Sequence, residues 1–132
     1  MLHGAGGTAM HSLIKDYILK YFGGNLEVEV PLEALDDAAV IGDIVLKSDS
    51  HAVKPLFFPG GDIGCIAVAG TVNDIAVLGA EPHALTCGFI LEEGLSLSDF
   101  ERILTSMRRM CRMAGVNTVS YTHLTLPTKR IV

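Results

Sequence analysis

An apolar run between residues 63 and 77 constrains this chain more than any other feature, because it reads as a helix that other elements must cover. Pro59-Gly60-Gly61 turns the chain ahead of it, and Asp62 is placed to cap it. Ile63, Ile66, Val68, Val72, Ile75 and Val77 then leave few polar faces, so burial on most sides is expected. Asn73 and Asp74 stand inside this run. An amide or hydroxyl moved from water to an apolar site costs roughly 2–7 kcal/mol without a hydrogen bond, and an unpaired carboxylate costs more. If buried, the pair must hold something.

The 132 residues suffice for one domain, which at this size buries roughly two-thirds of the surface its unfolded chain exposes. Apolar residues make up 49% of the chain and the mean hydropathy is +0.42. No uninterrupted apolar stretch approaches the roughly 20 residues of a spanning helix, so a soluble protein is expected. Met1 to Gly7 lacks the basic start and apolar middle of a secretory signal, which makes the cytoplasm the expected location. Cys65, Cys87 and Cys111 are widely spaced among apolar neighbours, with no Cys-x-x-Cys pair, and read as core thiols. The net charge of −5 argues against a nucleic-acid binder, whose footprint normally shows as a basic stripe. Arg108, Arg109 and Arg112 share their helix with Asp99 and Glu101 and read as a solvated face.

Helical and alternating patterns interleave along the chain. Leu13, Ile14, Tyr17, Ile18 and Phe22 mark an amphipathic helix from about Thr8 to Phe22, ended by Gly23-Gly24. Leu26 to Val30 alternates with period two, Ala38 to Ile41 is a short apolar run, and Ile44 to Val53 is β-branched-rich; these predict strands. His83 to Leu91 predicts another. Ser98 and Glu101 have capping-box spacing, and Leu97, Phe100, Ile103, Leu104, Met107 and Met110 form the core stripe of a helix that Gly115 can end. Val116 to Val119 starts a last strand. The class is therefore α/β or α+β, with a mixed sheet packed against helices.

Chemistry concentrates in four places. His3-Gly4-Ala5-Gly6-Gly7-Thr8 could wrap amides around an anion ahead of a helix, although a frayed terminus reads equally well. It has no Gly-Lys-Ser/Thr and no preceding strand, so it is neither a Walker loop nor a dinucleotide fingerprint. Asp36-Asp37 precedes the run Ala38-Ala39-Val40, and Asp49 lies between Ser48 and Ser50. Each also fits a turn or a solvent-facing strand position. Magnesium prefers one or two carboxylates plus phosphate oxygens, and carboxylates at strand ends can share such an ion. Asn73-Asp74, in its apolar setting, strengthens that reading.

The succession His3-Gly-Ala-Gly-Gly, Asp36-Asp37-Ala-Ala-Val, Ser48-Asp49-Ser50, Pro55-Leu-Phe-Phe-Pro-Gly-Gly-Asp62, Gly70-Thr-Val-Asn-Asp-Ile-Ala-Val and Gly88-Phe-Ile-Leu-Glu-Glu-Gly94 closely resembles the N-terminal domain of the HypE hydrogenase maturation factors. These belong to the PurM-like superfamily, with aminoimidazole ribonucleotide synthetase, selenophosphate synthetase and thiamine-monophosphate kinase. Resemblance covers residues 1–119. It implies a PurM N-terminal-like fold, an ATP-binding and dimerising domain that forms half of a dimeric β-barrel. It also implies ATP-dependent dehydration of a C-terminal cysteine thiocarboxamide to a thiocyanate, which supplies the cyanide ligands of nickel-iron hydrogenases. Implied cofactors are ATP and Mg2+. Asp37, Asp49 and Asp74 would hold the metal and phosphates, Asp36 being the weaker candidate; Asn73 would orient Asp74 or bind phosphate, and Gly4, Gly6 and Gly7 would close over the nucleotide. Implied partners are a second copy through the sheet, a HypF-like carbamoyltransferase and a HypC–HypD-like complex, with no nucleic acid and no membrane. Leu56-Phe57-Phe58 fits an apolar pairing patch, or a loop folded on its own core.

The sequence departs from the family after Val119. A Thr-Gly-Asp-Thr-Lys-Val-Val motif is expected there, but the chain reads Ser120-Tyr121-Thr122-His123-Leu124-Thr125-Leu126-Pro127-Thr128-Lys129-Arg130, without the Asp and Lys in place. The role is not carried to the displaced Lys129. Residues 120–132 are expected to be an atypical tail of foreign origin, without strand or helix signal. The second domain and the terminal cysteine are absent, so turnover by the chain alone is not expected. The alternatives are another PurM-superfamily enzyme or a non-catalytic dimerisation module. A selenophosphate synthetase is disfavoured because no reactive Cys-Lys stands in the N-terminal glycine segment, and a small-molecule kinase because Phe89 to Gly94 fits HypE better.

Overall fold

The architecture comes from a computed structural model, which describes residues 6–24, 30, 32–34 and 36–126. Two compact units make up the chain, Met1–Lys47 and Ser48–Val132.

In the first unit the expected N-terminal helix is one continuous helical stretch. Its α-helical parts are α1 (Gly7–Leu13) and α2 (Leu19–Phe22), joined by a π-helical segment, Ile14–Ile18. The Gly23 amide donates to the Leu19 carbonyl at 2.9 Å, and Gly24 leaves the helix at φ +80°. A 3-10 turn spans Leu32–Ala34, and β1 (Ala39–Ile41) and β2 (Ile44–Leu46) form an antiparallel hairpin. Ile41 pairs with Ile44, so only Gly42 and Asp43 make the turn; Gly42, at φ +58°, supplies the left-handed backbone that such tight hairpins need. The strand predicted over Ile44 to Val53 ends at Leu46, because β1 offers three pairing partners and no more. Of the strand predicted from Leu26, only Val30 lies within the described residues, where it bridges Val40.

The second unit is built on two packed helices. β3 (Phe57–Phe58) and β4 (Gly61–Asp62) form a minimal hairpin around Pro59-Gly60, with Gly60 at φ +94° as a proline-glycine turn requires. It delivers Asp62 to the start of α3 (Ile63–Val77), where the carboxylate accepts the Cys65 amide at 3.0 Å. Asp62 also accepts the Ser106 hydroxyl of α4 (Leu97–Ala114), so one buried side chain caps α3 and ties it to its neighbour. Just inside the cap the helices nearly touch. A Cβ added at Gly64 would lie 2.6 Å from the Ile103 carbonyl oxygen and 2.9 Å from Met107 Cγ.

The cap of α4 lies two residues before the predicted box. Ser96 takes the role: its hydroxyl accepts the Asp99 amide at 3.0 Å and donates back to the Asp99 carboxylate at 2.9 Å. At the other end Gly115 adopts φ +70°, and the Val116 amide returns to the Cys111 carbonyl at 3.0 Å. Gly115 thus turns the chain into β6 (Asn117–Leu126), which runs parallel to β5 (Ala84–Glu92). Phe89 of β5 meets Phe100 of α4 edge to face, with ring centres 5.4 Å apart. Val68, Cys111 and Val116 form the core, flanked by Val72, Leu85, Met107, Met110 and Ala114.

Three expectations change here. α3 buries only Gly64 and Val68 fully, while Ile66, Asn73, Ala76 and Val77 face solvent; the helix is covered by α4 on one side, not on most sides. In the α4 stripe Ile103 is buried, but Leu97 and Leu104 are exposed. The segment predicted to lack a strand signal after Val119 continues β6, pairing from Ser120 with Thr86 to Leu126 with Glu92. Within the described residues, parallel and antiparallel pairing are spread over three two-stranded ladders.

Burial by itself would raise the Asp62 carboxyl, but bonds from Ser106 and from the Cys65 and Gly64 amides outweigh it and hold it below the usual carboxylate range. A depressed carboxyl stabilises the fold fully above its unfolded value of 3.8 and loses that contribution as pH falls through the lower folded value. Asp62→Asn keeps a capping side chain and removes the charge. Thermal melts from pH 7 to 2 are expected to show the native chain leading at neutral pH and the gap closing below 3.8. Gly64→Ala is expected to cost about 2 kcal/mol in urea unfolding despite the better helix propensity of alanine, since the new methyl meets backbone.

Candidate functional site

The expected site residues fall in both units. In the first, Gly6 and Gly7 take φ of +78° and +65° at the entry to α1, a left-handed geometry that glycine adopts without strain. Gly4 lies outside the described residues. Asp36 and Asp37 are exposed ahead of β1, and the Asp36 carboxylate accepts the Asp37 amide at 2.8 Å. That local ring is the turn geometry open to any Asp, and it leaves the Asp37 side chain facing water.

In the second unit the structure supplies a partner that the sequence reading passed over. Asp49 is exposed on the extended segment before β3; one carboxylate oxygen accepts the Ser50 amide at 2.7 Å, and the other lies 3.5 Å from His51 Nε2. His51 is the more buried of the two, at 16% side-chain exposure against 34% for Asp49. Its ring rests on α3 at Gly70, where an added Cβ would fall 2.6 Å from Nε2. Gly70 is separated from Asn73 and Asp74 by three and four residues, so all three belong to one helix face. The structure therefore brings the Asp49 segment onto the same face of α3 as the Asn-Asp pair.

The signal for His51 was present in the spacing. In an extended chain, residues two apart share a side, which puts Asp49 and His51 together. What spacing could not reveal is the glycine on a distant helix that accepts the ring.

Asn73 and Asp74 differ in their surroundings. Asn73 is exposed, so the expected cost of burying it does not arise; Asp74 is half-buried and already engaged in an interaction. In this unit, among the described residues, no three His, Cys, Asp or Glu side chains stand together as a ready metal cage. The arrangement suits a hard cation that brings phosphate oxygens of its own, where one or two carboxylates suffice.

Other candidates are structural. Leu56-Phe57-Phe58 is half-buried: the Leu56 carbonyl accepts the Ile63 amide at 2.9 Å, and the Arg102 guanidinium sits 3.8 Å over the Phe57 ring. The loop packs on its own unit, as the second of the two readings of this patch expects. Arg108, Arg109 and Arg112 are exposed as expected. Cys111 is buried and Cys65 and Cys87 half-buried, all as free thiols. A groove of about 710 Å³ opens between β5 and α4, lined by Cys87, Phe89, Leu91, Leu104 and Cys111 among others. Among the described residues no helix is long and apolar enough to cross a membrane.

Comparison with known proteins places these observations in a family. The profile of the AIR synthase related protein N-terminal domain matches residues 35–122. Carbamoyl dehydratase HypE of Azotobacter vinelandii is 45% identical over 124 residues, which cover 91% of this chain and 35% of the relative. The crystal structure of a HypE–HypF complex matches with TM-score 0.78 and 40% identity, over 91% of this chain and 38% of that one. A HypE crystallised in complex with ATP matches with TM-score 0.60 and 43% identity, over 98% and 38%. The chain spans about a third of the length of the curated relatives it matches.

Burial pushes the Cys87 thiol up, and neighbouring Cys111 adds to the effect. A raised thiol holds less thiolate near neutral pH. Iodoacetamide labelling followed by mass spectrometry is therefore expected to find Cys87 slower than a free thiol at pH 8, with a rate still climbing above 9.0.

Proposed function

The chain belongs to the AIR synthase related family through its N-terminal domain, and from that premise we propose that it is the nucleotide-binding domain of a HypE-type carbamoyl dehydratase of hydrogenase maturation. One observation carries the reading: nearly the whole chain aligns in structure and sequence with a HypE that was solved with ATP. The ligands are ATP and Mg2+.

ATP supplies a phosphoryl group that turns the poor leaving oxygen of an amide into a good one. The work of this chain is to hold that nucleotide. Asp49 and Asp74 would bind the cation and phosphates, with Asn73 alongside as a neutral donor; for Asp37, Gly4, Gly6 and Gly7 a nucleotide role rests on the family resemblance of their motifs. Exposed or half-exposed carboxylates fit this task, since they pay little to lose water when the cation arrives with phosphate. The substrate is a cysteine thiocarboxamide and the product a thiocyanate. Turnover by this chain alone is not part of the proposal, because Ser120 to Thr122 carry neither Asp nor Lys where the family motif has them.

Pairing with a second copy through the sheet, docking of a HypF-like carbamoyltransferase and of a HypC–HypD-like complex, and a cytoplasmic setting complete the proposal. The β5–β6 ladder supports pairing, since it has two strands among the described residues and sheets readily extend at their edges. A non-catalytic pairing module is the competing reading that this edge favours.

Isothermal titration of the 132-residue chain with MgATP separates the two. The nucleotide domain is expected to show saturable binding that Asp74→Ala weakens at least tenfold, on the order of 1.4 kcal/mol. No saturable heat at millimolar nucleotide would leave the pairing module standing.

A further inference from the structure

We propose that His51 is a positioning residue of the nucleotide site, fastening the Asp49 carboxylate to the Gly70 turn of α3 so that Asp49 and Asp74 act on the same phosphate-bound cation. The inference rests on the nucleotide reading above and goes beyond it by assigning a role to a side chain that binds no ligand itself.

Three contacts carry it. One Asp49 oxygen accepts the Ser50 amide at 2.7 Å and the other lies 3.5 Å from His51 Nε2, so the imidazole stands beside the carboxylate. The imidazole is itself held: Nε2, Cε1 and Cδ2 would lie 2.6, 3.5 and 3.7 Å from a Cβ at Gly70, which means the ring occupies the space that any other residue would fill. Finally, side chains on a helix lean toward its N-terminus, so the surface that Asp74 covers is the turn containing Gly70. The histidine thus packs on the turn of α3 that precedes Asp74, and the absence of a side chain at position 70 is what lets it come so close.

A simple packing role for His51 predicts something different. Packing would be lost with the ring and would not care about Asp49. Positioning makes the effects of His51 and Asp49 on nucleotide binding non-additive, because each acts through the other.

The experiment measures MgATP affinity and the melting temperature of the 132-residue chain with His51→Ala, His51→Gln, Gly70→Ala, Asp49→Asn and the His51→Ala/Asp49→Asn pair. Removing a group that orients a cation's ligand typically weakens affinity about tenfold or more, and that loss is expected for His51→Ala. Gly70→Ala, which displaces the ring while leaving every polar group in place, is expected to match it. His51→Gln, with an amide nitrogen near the position of Nε2, should recover most of the affinity. The double variant should bind no worse than Asp49→Asn alone. Unchanged affinity in His51→Ala, or losses that simply add, would overturn the role. Failure of the unsubstituted chain to bind is a separate result; it removes the nucleotide reading and this role with it.

Discussion

The approach of α3 to α4 at Gly64 is the contact on which the larger unit depends. Backbone and side chains of α4 come so near that any side chain at position 64 would force the helices to shift, and the Asp62 carboxylate clamps the same spot by serving the α3 amides and the Ser106 hydroxyl together. A buried carboxylate without partners would be costly. Here burial and satisfaction go together, which is why the charge is retained and stabilises the junction. With the helices fixed, Val68 and Cys111 meet Val116 in the core, and Gly115 launches β6 alongside β5.

The same helix carries the candidate chemistry at its other end. α3 is clamped through its first turn and offers Gly70, Asn73 and Asp74 further on, where cover by other elements is thinner. A rigid helix with an open far end is a sound base for holding phosphate. Its first turn is held by the Asp62 clamp, and Asn73 has not been sealed in the core. The chain uses two glycines of α3 differently: Gly64 admits a neighbouring helix, and Gly70 admits a histidine ring. Family membership and the likeness to a HypE solved with ATP support a nucleotide-binding reading of the chain.

Features set by neighbours in sequence were readable. The Asp62 cap, the Pro59-Gly60 turn, the Gly115 stop and the helix from Gly7 to Phe22 all arise from interactions spanning five residues or fewer. The α4 cap shows the limit even there, because Ser96 with Asp99 and Ser98 with Glu101 both have the right spacing and only the path of the chain selects the first. Strand lengths were misread for a consistent reason. Ile44 to Val53 is β-branched-rich but the strand stops at Leu46, where β1 runs out; the Thr-rich stretch after Val119 carries no strand signal of its own but pairs as far as Leu126, because β5 offers it an edge.

Sequence by itself determined the helices, the Asp62 cap, the Pro59-Gly60 and Gly115 turns, the family motifs and the positions of the acidic residues, since these follow from local geometry and from residue identity. Tertiary structure alone decided that α3 would be covered on one side, that the Leu56 to Phe58 loop would fold under Arg102, and that His51 would reach Gly70. Such contacts join residues tens of positions apart, and their distances are fixed by how surfaces pack, which no periodicity along the chain encodes.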